Sequence, residues 1–461
     1  MEDKPYRSRT TTSNFGVSRR ESHDASGFYG RFEAPVISDD ETVLPVEQVA
    51  EPFVCGDART MGTIADGTVA LVVTSPPYFA GKQYEEELER DGIPASYLEY
   101  LELLHDVFAE CVRVLEPGGR IAVNVANLGR KPYRSLSADV IHILQDRLGL
   151  LLRGEIVWQK GAGASGSCAW GSFRSPSNPV LRDVTERVIV ASKGRFQRAL
   201  SAEQRRDLGL PHEATIHTED FMALTLDIWQ TPSESARRVG HPAPFPIELP
   251  EKLIELYTFA DDLVLDPFMG SGSTLVAASR LGRRYVGYDL DPGYVELAMA
   301  RVDDEGDPIP DEPDRLGGSK DRIAEVLAAA GFTTEGPGVR LKGSGMVVHD
   351  VATDRAGGRW VIELGGPFVR HRGGLTSIDA VWRTLGRAHA LRGLGERLLV
   401  LTSDLPRSRS EFDVAIRAVG PSGLFDVIDV FDPDALERLA SYAAGANRPL
   451  EGFWRPTELA Q

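Results

Sequence analysis

The run DDLVLDPFMGSGSTLVAASRLGRRYVGYDLDPGYVELAMAR, Asp261 to Arg301, restricts the possible folds more than any other part of the chain. It reads as strand, glycine turn, helix, strand, acidic residue, helix. Gly270 and Gly272 stand where the backbone must approach a ligand closely, ahead of a helix N-terminus that favours an anion. No Lys follows the glycines, so this is not the phosphate loop of an NTPase, and the full G-x-G-x-x-G dinucleotide fingerprint is also absent. Asp289 falls at the end of the second strand, a position suited to gripping ribose hydroxyls. A lone Gly-Ser-Gly also fits an ordinary tight turn between strand and helix. Coupled to Asp266, Pro267, Phe268 and Asp289, it fits a bound nucleoside better.

Strand-like and helical segments alternate from Phe53 onward, the pattern of an α/β domain with a mostly parallel sheet. SYLEYLELLHDVFAECVRVL carries apolar residues at helical spacing, EPGGRIAVNVAN is a turn and then a strand, and SADVIHILQDRLG is again a helix. Residues 1–47, rich in Ser, Thr and Arg and then acidic, predict a mostly disordered arm. Residues 303–319 form an acidic, Pro- and Gly-rich linker without periodicity. The 461 residues thus divide into a domain over 48–302 and a second, smaller α/β domain over 320–461.

The stretch LVVTSPPYFA raises a different question, because a buried strand runs straight into two prolines. Adjacent prolines fix φ and remove backbone donors, so a turn built from them holds its acceptors in place. A nucleoside with an attached carboxylate suits the later glycine loop better than a pyrophosphate, and S-adenosyl-L-methionine is such a ligand. TSPPY followed by LDPFMGSGST resembles the DNA amino-methyltransferases, which methylate an exocyclic base nitrogen. The catalytic motif precedes the cofactor loop, the order of the circularly permuted β class. The resemblance, which covers roughly residues 50 to 302, implies a Rossmann-like S-adenosylmethionine-dependent methyltransferase fold. FVCGDA resembles the strand end whose acid, here Asp57, meets the adenosine. The implied cofactor set is Asp57, Asp266, Pro267, Phe268, Gly270, Gly272 and Asp289, and the implied catalytic set is Ser75, Pro76, Pro77 and Tyr78.

An exocyclic amine is a poor nucleophile, since its lone pair is delocalised into the ring. Acceptors aimed at its protons, Ser75 Oγ and the Pro76 carbonyl, favour a pyramidal nitrogen, and Tyr78 offers a flat face to a base taken from its stack. Ser rather than Asp or Asn in the first motif position resembles the cytosine-N4 type; adenine-N6 methylation, or a non-catalytic DNA-binding protein on the same scaffold, are the alternatives. Carbon-5 cytosine chemistry needs a thiolate, usually after proline, and none of the three cysteines follows a proline. The resemblance implies double-stranded DNA as substrate and a restriction-modification setting with a cognate restriction enzyme. Residues 194–226 are expected as a short target-recognition region, with Arg195 and Arg198 in an Arg-rich stretch. Trp170 and Arg174, in a Gly- and Ser-rich loop, are further candidates for gripping DNA.

A net charge of −17 argues against a basic footprint over the whole surface but not against one basic cleft. Scattered cysteines predict no metal site and a reducing, cytoplasmic setting, with no apolar run for a membrane and a monomer or homodimer as the expected state. In the C-terminal segment Asp350 and Glu363 lie on successive strands, a pattern that resembles a restriction-endonuclease-like core. Gly365 stands where such nucleases carry Lys. The expectation is a degenerate DNA- or partner-binding domain without cleavage.

Overall fold

The computed structural model describes residues 36–45, 49–77, 96–127, 133–160, 171–181, 184–232, 245–307, 319–342, 345–368 and 373–460. Its larger sheet has eight strands. In chain order they are β1 (Phe53–Cys55), β2 (Val69–Thr74), β3 (Leu115–Val125), β4 (Leu151–Gln159), β5 (Thr185–Ser192), β6 (Ile228–Gln230), β7 (Leu263–Asp266) and β8 (Arg284–Asp289). Across the sheet they lie β1-β8-β7-β2-β3-β5-β4-β6. Every neighbouring pair is parallel except those made by β5, which runs antiparallel to β3 and to β4.

Strand β2, VALVVT, is buried along its whole length, because helices cover both faces of the sheet. Val72 joins one core layer with Tyr100, Leu104 and Phe108 of α1 (Tyr97–Val114) and with Leu136 and Val140 of α2 (Leu136–Ile141). Leu71 and Val73 join the other, with residues of α5 (Glu248–Tyr257), α6 (Ser273–Arg280) and α7 (Pro292–Glu305). This is the two-residue alternation of a strand. Helix α1 starts where Ser96 Oγ accepts the Glu99 N–H, and α7 where Asp291 accepts the Gly293 N–H ahead of Pro292.

The expected turn in EPGGRIAVNVAN is a bulge inside β3: Val69 pairs with Leu115 and Leu71 with Arg120, so residues 116–119 swing out. Gly118 has φ +77, and a Cβ there would lie 2.0 Å from the Gln197 carbonyl oxygen. Only glycine allows the 194–200 segment to close on the bulge.

That segment corrects the sequence expectation for Arg195 and Arg198. β5 ends beside the start of β3, so the chain after Ser192 emerges at the N-terminal ends of the parallel strands. Arg198 pairs there with Glu116 and, at 2.9 Å, with Asp262; Arg205, on α3 (Ala202–Asp207), reaches both acids at 3.2 Å. Both guanidinium groups lie 5.3 Å from the Phe259 ring centre. Arg198 and its acids are almost fully buried, so Arg198 and Arg205 form an internal clamp and not a surface for phosphate. Arg195 donates to the Asp40 carbonyl at 2.7 Å, and Ser38 N–H donates to the Gly194 carbonyl at 2.7 Å. Residues 36–45 of the expected arm therefore lie along the same end of the sheet. The 194–226 region also contains α4 (Thr218–Leu224), which leads into β6.

The C-terminal residues build a separate sheet. Its strands are β9 (Thr333–Thr334), β12 (Asp350–Thr353), β13 (Arg359–Leu364), β14 (Leu398–Thr402) and β15 (Asp426–Asp429), beside a two-stranded ribbon of β10 (Val339–Arg340) and β11 (Val347–Val348). Across this sheet the order is β15-β14-β13-β12-β9. Helices α8 (Ser319–Ala330), α9 (Ile378–Gly393), α10 (Glu411–Val419), α11 (Pro433–Ala443) and α12 (Pro456–Leu459) complete it. Asp350 pairs with Ile362 across the antiparallel β12–β13 ladder, so both side chains share one face. Glu363, one residue on, points to the other face and bonds to Arg387 of α9. The two acids are not brought together, and among the described residues no group of three or more His, Cys, Asp or Glu is placed to hold a metal. A Cβ at Gly365 would lie 2.9 Å from both Leu375 and Val400, so the place of the missing Lys is filled by apolar packing.

Two outcomes follow. Arg205→Ala should lower unfolding free energy by about 3–5 kcal/mol in denaturant titration, because buried Glu116 and Asp262 are then left to share the single cation of Arg198, whereas Arg195→Ala should leave the salt dependence of DNA binding unchanged. Purified full-length chain with magnesium or manganese should leave plasmid DNA uncut on a gel; cleavage abolished by Asp350→Ala would contradict the separation of the two acids.

Candidate active site

Chain order reverses between β7 and β2. From β7 the sheet grows through β8 to β1, and from β2 it grows through β3 the other way. Such a switch opens a crevice at the carboxyl ends of the two strands, and ligands of open α/β sheets bind there. The glycine loop leaves β7 at this point and the Pro-Pro turn leaves β2.

Asp266 joins the two. It is fully buried, and its carboxylate accepts the Thr74 hydroxyl at 2.7 Å, the Thr274 hydroxyl at 2.7 Å and the Phe268 N–H at 3.1 Å. Burial pushes its pKa up to about 6, against the lowering effect of those donors. Thr74 immediately precedes Ser75, and Thr274 opens α6 just after Gly272. Asp266 therefore acts as a frame between the two loops, with its oxygens engaged by protein donors. Pro267 and Phe268 carry the chain out of β7, and Phe268 packs on the core layer of α1. Gly270 and Gly272 have φ +46 and +78, in the left-handed region. A Cβ on Gly272 would lie 2.8 Å from Ala298 of α7. Behind the loop, the Arg301 guanidinium donates to the Ser271 carbonyl at 2.8 Å and to Ser273 Oγ at 3.3 Å. Thr74, Thr274 and Arg301 were not singled out from the sequence, since each is ordinary in its own local pattern.

Two more acids reach the same edge on neighbouring strands. Cys55 of β1 pairs with Asp289 of β8, and Asp57 follows two residues later. Asp289 accepts the Gly270 N–H at 3.0 Å and the Asp291 N–H at 2.9 Å; burial raises its pKa. The Asp57 carboxyl is held below its usual range chiefly by hydrogen bonds from the Arg59 side chain. A loop without Lys or Arg, flanked by carboxylates at adjacent strand ends, does not suit a polyphosphate. It does suit a ribose diol and a sulfonium cation beside a single carboxylate, the chemistry of S-adenosyl-L-methionine.

Ser75, Pro76 and Pro77 follow β2 directly, with Ser75 half-buried and Pro76 buried. Asn124 Nδ2, near the end of β3, donates to Ser75 Oγ at 3.4 Å. Tyr78 and Trp170 lie outside the described residues. Arg174 is exposed with φ +55, in a short stretch closed by pairing of Gly171 with Pro179. This stretch belongs to the β4–β5 connection, and Val125 pairs with Arg187 while Thr74 pairs with Val123. The strand ends that the connection joins thus lie at the same edge as the Ser-Pro-Pro turn, whereas Arg195 and Arg198 sit at the opposite edge.

The raised Asp266 pKa has a pH consequence. In the window between the ordinary carboxylate value of 3.8 and about 6, the folded state binds this proton more tightly than the unfolded state, so the contribution of Asp266 to stability falls as pH rises through the window. Asp266→Asn cannot titrate. The stability of the native protein relative to this variant should therefore decline from about pH 4 to about pH 7 in chemical unfolding; a flat difference would contradict the shift.

Comparison with known proteins agrees with the geometry. A DNA methylase family model matches residues 69–300, half of the chain. The Type II methyltransferase M.MthZI of Methanothermobacter thermautotrophicus is 30% identical over 272 residues, covering 54% of this chain and 75% of the relative. The Type II methyltransferase M.MjaI of Methanocaldococcus jannaschii is 29% identical over 282 residues, covering 54% of this chain and 90% of the relative. A solved structure from Thermus thermophilus, described as a DNA modification methylase and complexed with S-adenosyl-L-methionine, is 31% identical with a TM-score of 0.42, covering 54% of this chain and 94% of that one. Residues 69–300 span β2 through α7, and with them both the Ser-Pro-Pro turn and the glycine loop. The chain belongs to the DNA methylase family, an S-adenosyl-L-methionine-dependent group with a Rossmann-like α/β fold.

Proposed function

We propose that the chain methylates the exocyclic N4 amine of cytosine in double-stranded DNA. The observation that carries this reading is the junction at Asp266, which fixes a Ser-Pro-Pro turn against a glycine loop suited to the methyl donor. Bound S-adenosyl-L-methionine supplies an electrophilic methyl group on a sulfonium. Asp289 and Asp57 hold the ribose and adenosine end, and Gly270 and Gly272 let the backbone close on it. Ser75 Oγ and the Pro76 carbonyl accept the two protons of the target amine, which localises its lone pair on nitrogen. A cofactor held there would supply its methyl group to this nitrogen, with the carbon–sulfur electrons left on sulfur and one amine proton lost to solvent.

Ser75 in the first motif position supports cytosine. The matching family model spans both N6 and N4 methylases, which keeps adenine-N6 as the second reading. DNA approach to the Ser-Pro-Pro edge favours the β4–β5 connection, with Arg174 and Trp170, as the gripping element. The Type II relatives support a partner restriction enzyme that reads the same site.

Incubation of DNA with radiolabelled cofactor, followed by nucleoside digestion, should yield N4-methylcytosine; N6-methyladenine would select the second reading, and label in neither would reject both. Ser75→Ala should lower kcat by about a hundredfold, comparable to loss of one transition-state hydrogen bond, with cofactor affinity by calorimetry unchanged within about twofold. Wild-type turnover in this variant would remove Ser75 from the mechanism.

A further inference from the structure

A line of polar side chains runs from Ser75 across the sheet, perpendicular to its strands. Asn124 Nδ2 donates to Ser75 Oγ at 3.4 Å and to Glu186 Oε2 at 2.6 Å. The other Glu186 oxygen, Oε1, is paired with the Lys160 ammonium, which also lies 5.4 Å from the Trp158 ring centre. The four residues sit at one edge of four neighbouring strands: Ser75 after β2, Asn124 on β3, Glu186 on β5 and Lys160 just past β4. Asn124 and Glu186 are 2% and 5% exposed, so this is a polar chain inside the protein and not a rim of solvated charge.

We propose that Lys160, Glu186 and Asn124 are positioning residues for methyl transfer, acting through the Ser75 hydroxyl. The inference rests on the reading that Ser75 accepts a proton of the target amine. A buried carboxylate is costly, and an apolar residue of similar size is often as stabilising as a buried ion pair, so the pair asks for a reason beyond stability. The geometry supplies one. A primary amide has two protons on nitrogen and can turn over to present its oxygen instead. Glu186, an acceptor only, fixes the nitrogen of Asn124 on the side it faces and so keeps a donor on Ser75. A hydroxyl rotates until neighbours fix it; with Asn124 donating to Oγ, the Ser75 proton turns away from Asn124 and the orientation of the oxygen is set. Lys160 holds the far oxygen of Glu186, which keeps the carboxylate in register with the amide. An acceptor set in advance adds to the transition state and little to substrate binding, since the amine is pyramidal only there.

The test compares Glu186→Gln and Lys160→Met with the native protein. Lys160 is the more exposed end of the chain, so Lys160→Met keeps the question answerable even if Glu186→Gln does not fold. Each variant should lose about tenfold or more in kcat, while KM for DNA and cofactor affinity stay within about twofold. An unchanged kcat in a folded variant would overturn the proposal. So would a loss in kcat matched by an equal loss in cofactor affinity, because that pattern belongs to a residue that merely holds the fold. A second readout needs no turnover: the side-chain amide resonances of Asn124 should move when Glu186 becomes Gln, and unmoved resonances would overturn the relay. If the native protein methylates no DNA, the reading of its function fails, while the amide resonances still decide whether the relay exists.

Discussion

The carboxylate of Asp266 is tied to the last residue of one strand and to the second residue of a helix that follows another. Its two oxygens hold Thr74 and Thr274, which belong to segments 200 positions apart in the chain. A fully buried carboxylate is tolerated only when donors surround it, so the hydroxyls and the Phe268 N–H cannot be exchanged piecemeal for apolar groups. The Ser-Pro-Pro turn and the glycine loop are thereby referred to one common point. Misplacement of a reacting group by even an ångström is expensive in rate, and here two loops share a rigid anchor rather than each relying on its own packing. Arg301 supports the same loop from the α7 side.

The sheet separates two kinds of chemistry at its two edges. The edge where the parallel strands end holds Ser75, Asp266, Asp289 and Asp57, together with the β4–β5 connection. The opposite edge holds the clamp of Arg198 and Arg205 on Glu116 and Asp262, with residues 36–45 alongside. Basic residues that look available in the sequence are thus consumed in neutralising acids, which is one reason a net charge of −17 says little about the active edge. The cation–π contacts of both arginines with Phe259 add to the same clamp.

The parts of the site that could be read in the sequence are those that lie within a few residues of one another. The Pro-Pro turn and the Gly-Ser-Gly loop each carry their geometry in local backbone chemistry, and their flanking strands are apolar enough to be recognised. The Asp350 and Glu363 pattern is also local, yet one residue of register puts the two side chains on opposite faces, and no composition reveals that. Arg198 misleads for a related reason: the reversal of β5 decides which edge the following chain reaches, and a strand's direction is a property of the whole sheet. The Lys160–Glu186–Asn124 line is less legible still. Each member belongs to an ordinary strand pattern, and only the order β3-β5-β4, which departs from chain order, makes them neighbours.

Because β5 runs back against β4, the chain between them is a hairpin closure rather than a crossover. Its two ends are fixed as neighbours by the ladder, with Gln159 opposite Thr185. The entropy of closing such a loop rises only with the logarithm of its length, about 0.6 kcal/mol for each doubling. Nothing in the sheet, the Asp266 anchor or the cofactor loop has to move to admit a longer or different insert at that place. The fold therefore offers one site on its working edge where sequence can drift, lengthen or be exchanged wholesale, while the apparatus beneath stays constant. A scaffold of this form is suited to diversification by transplanting a single segment.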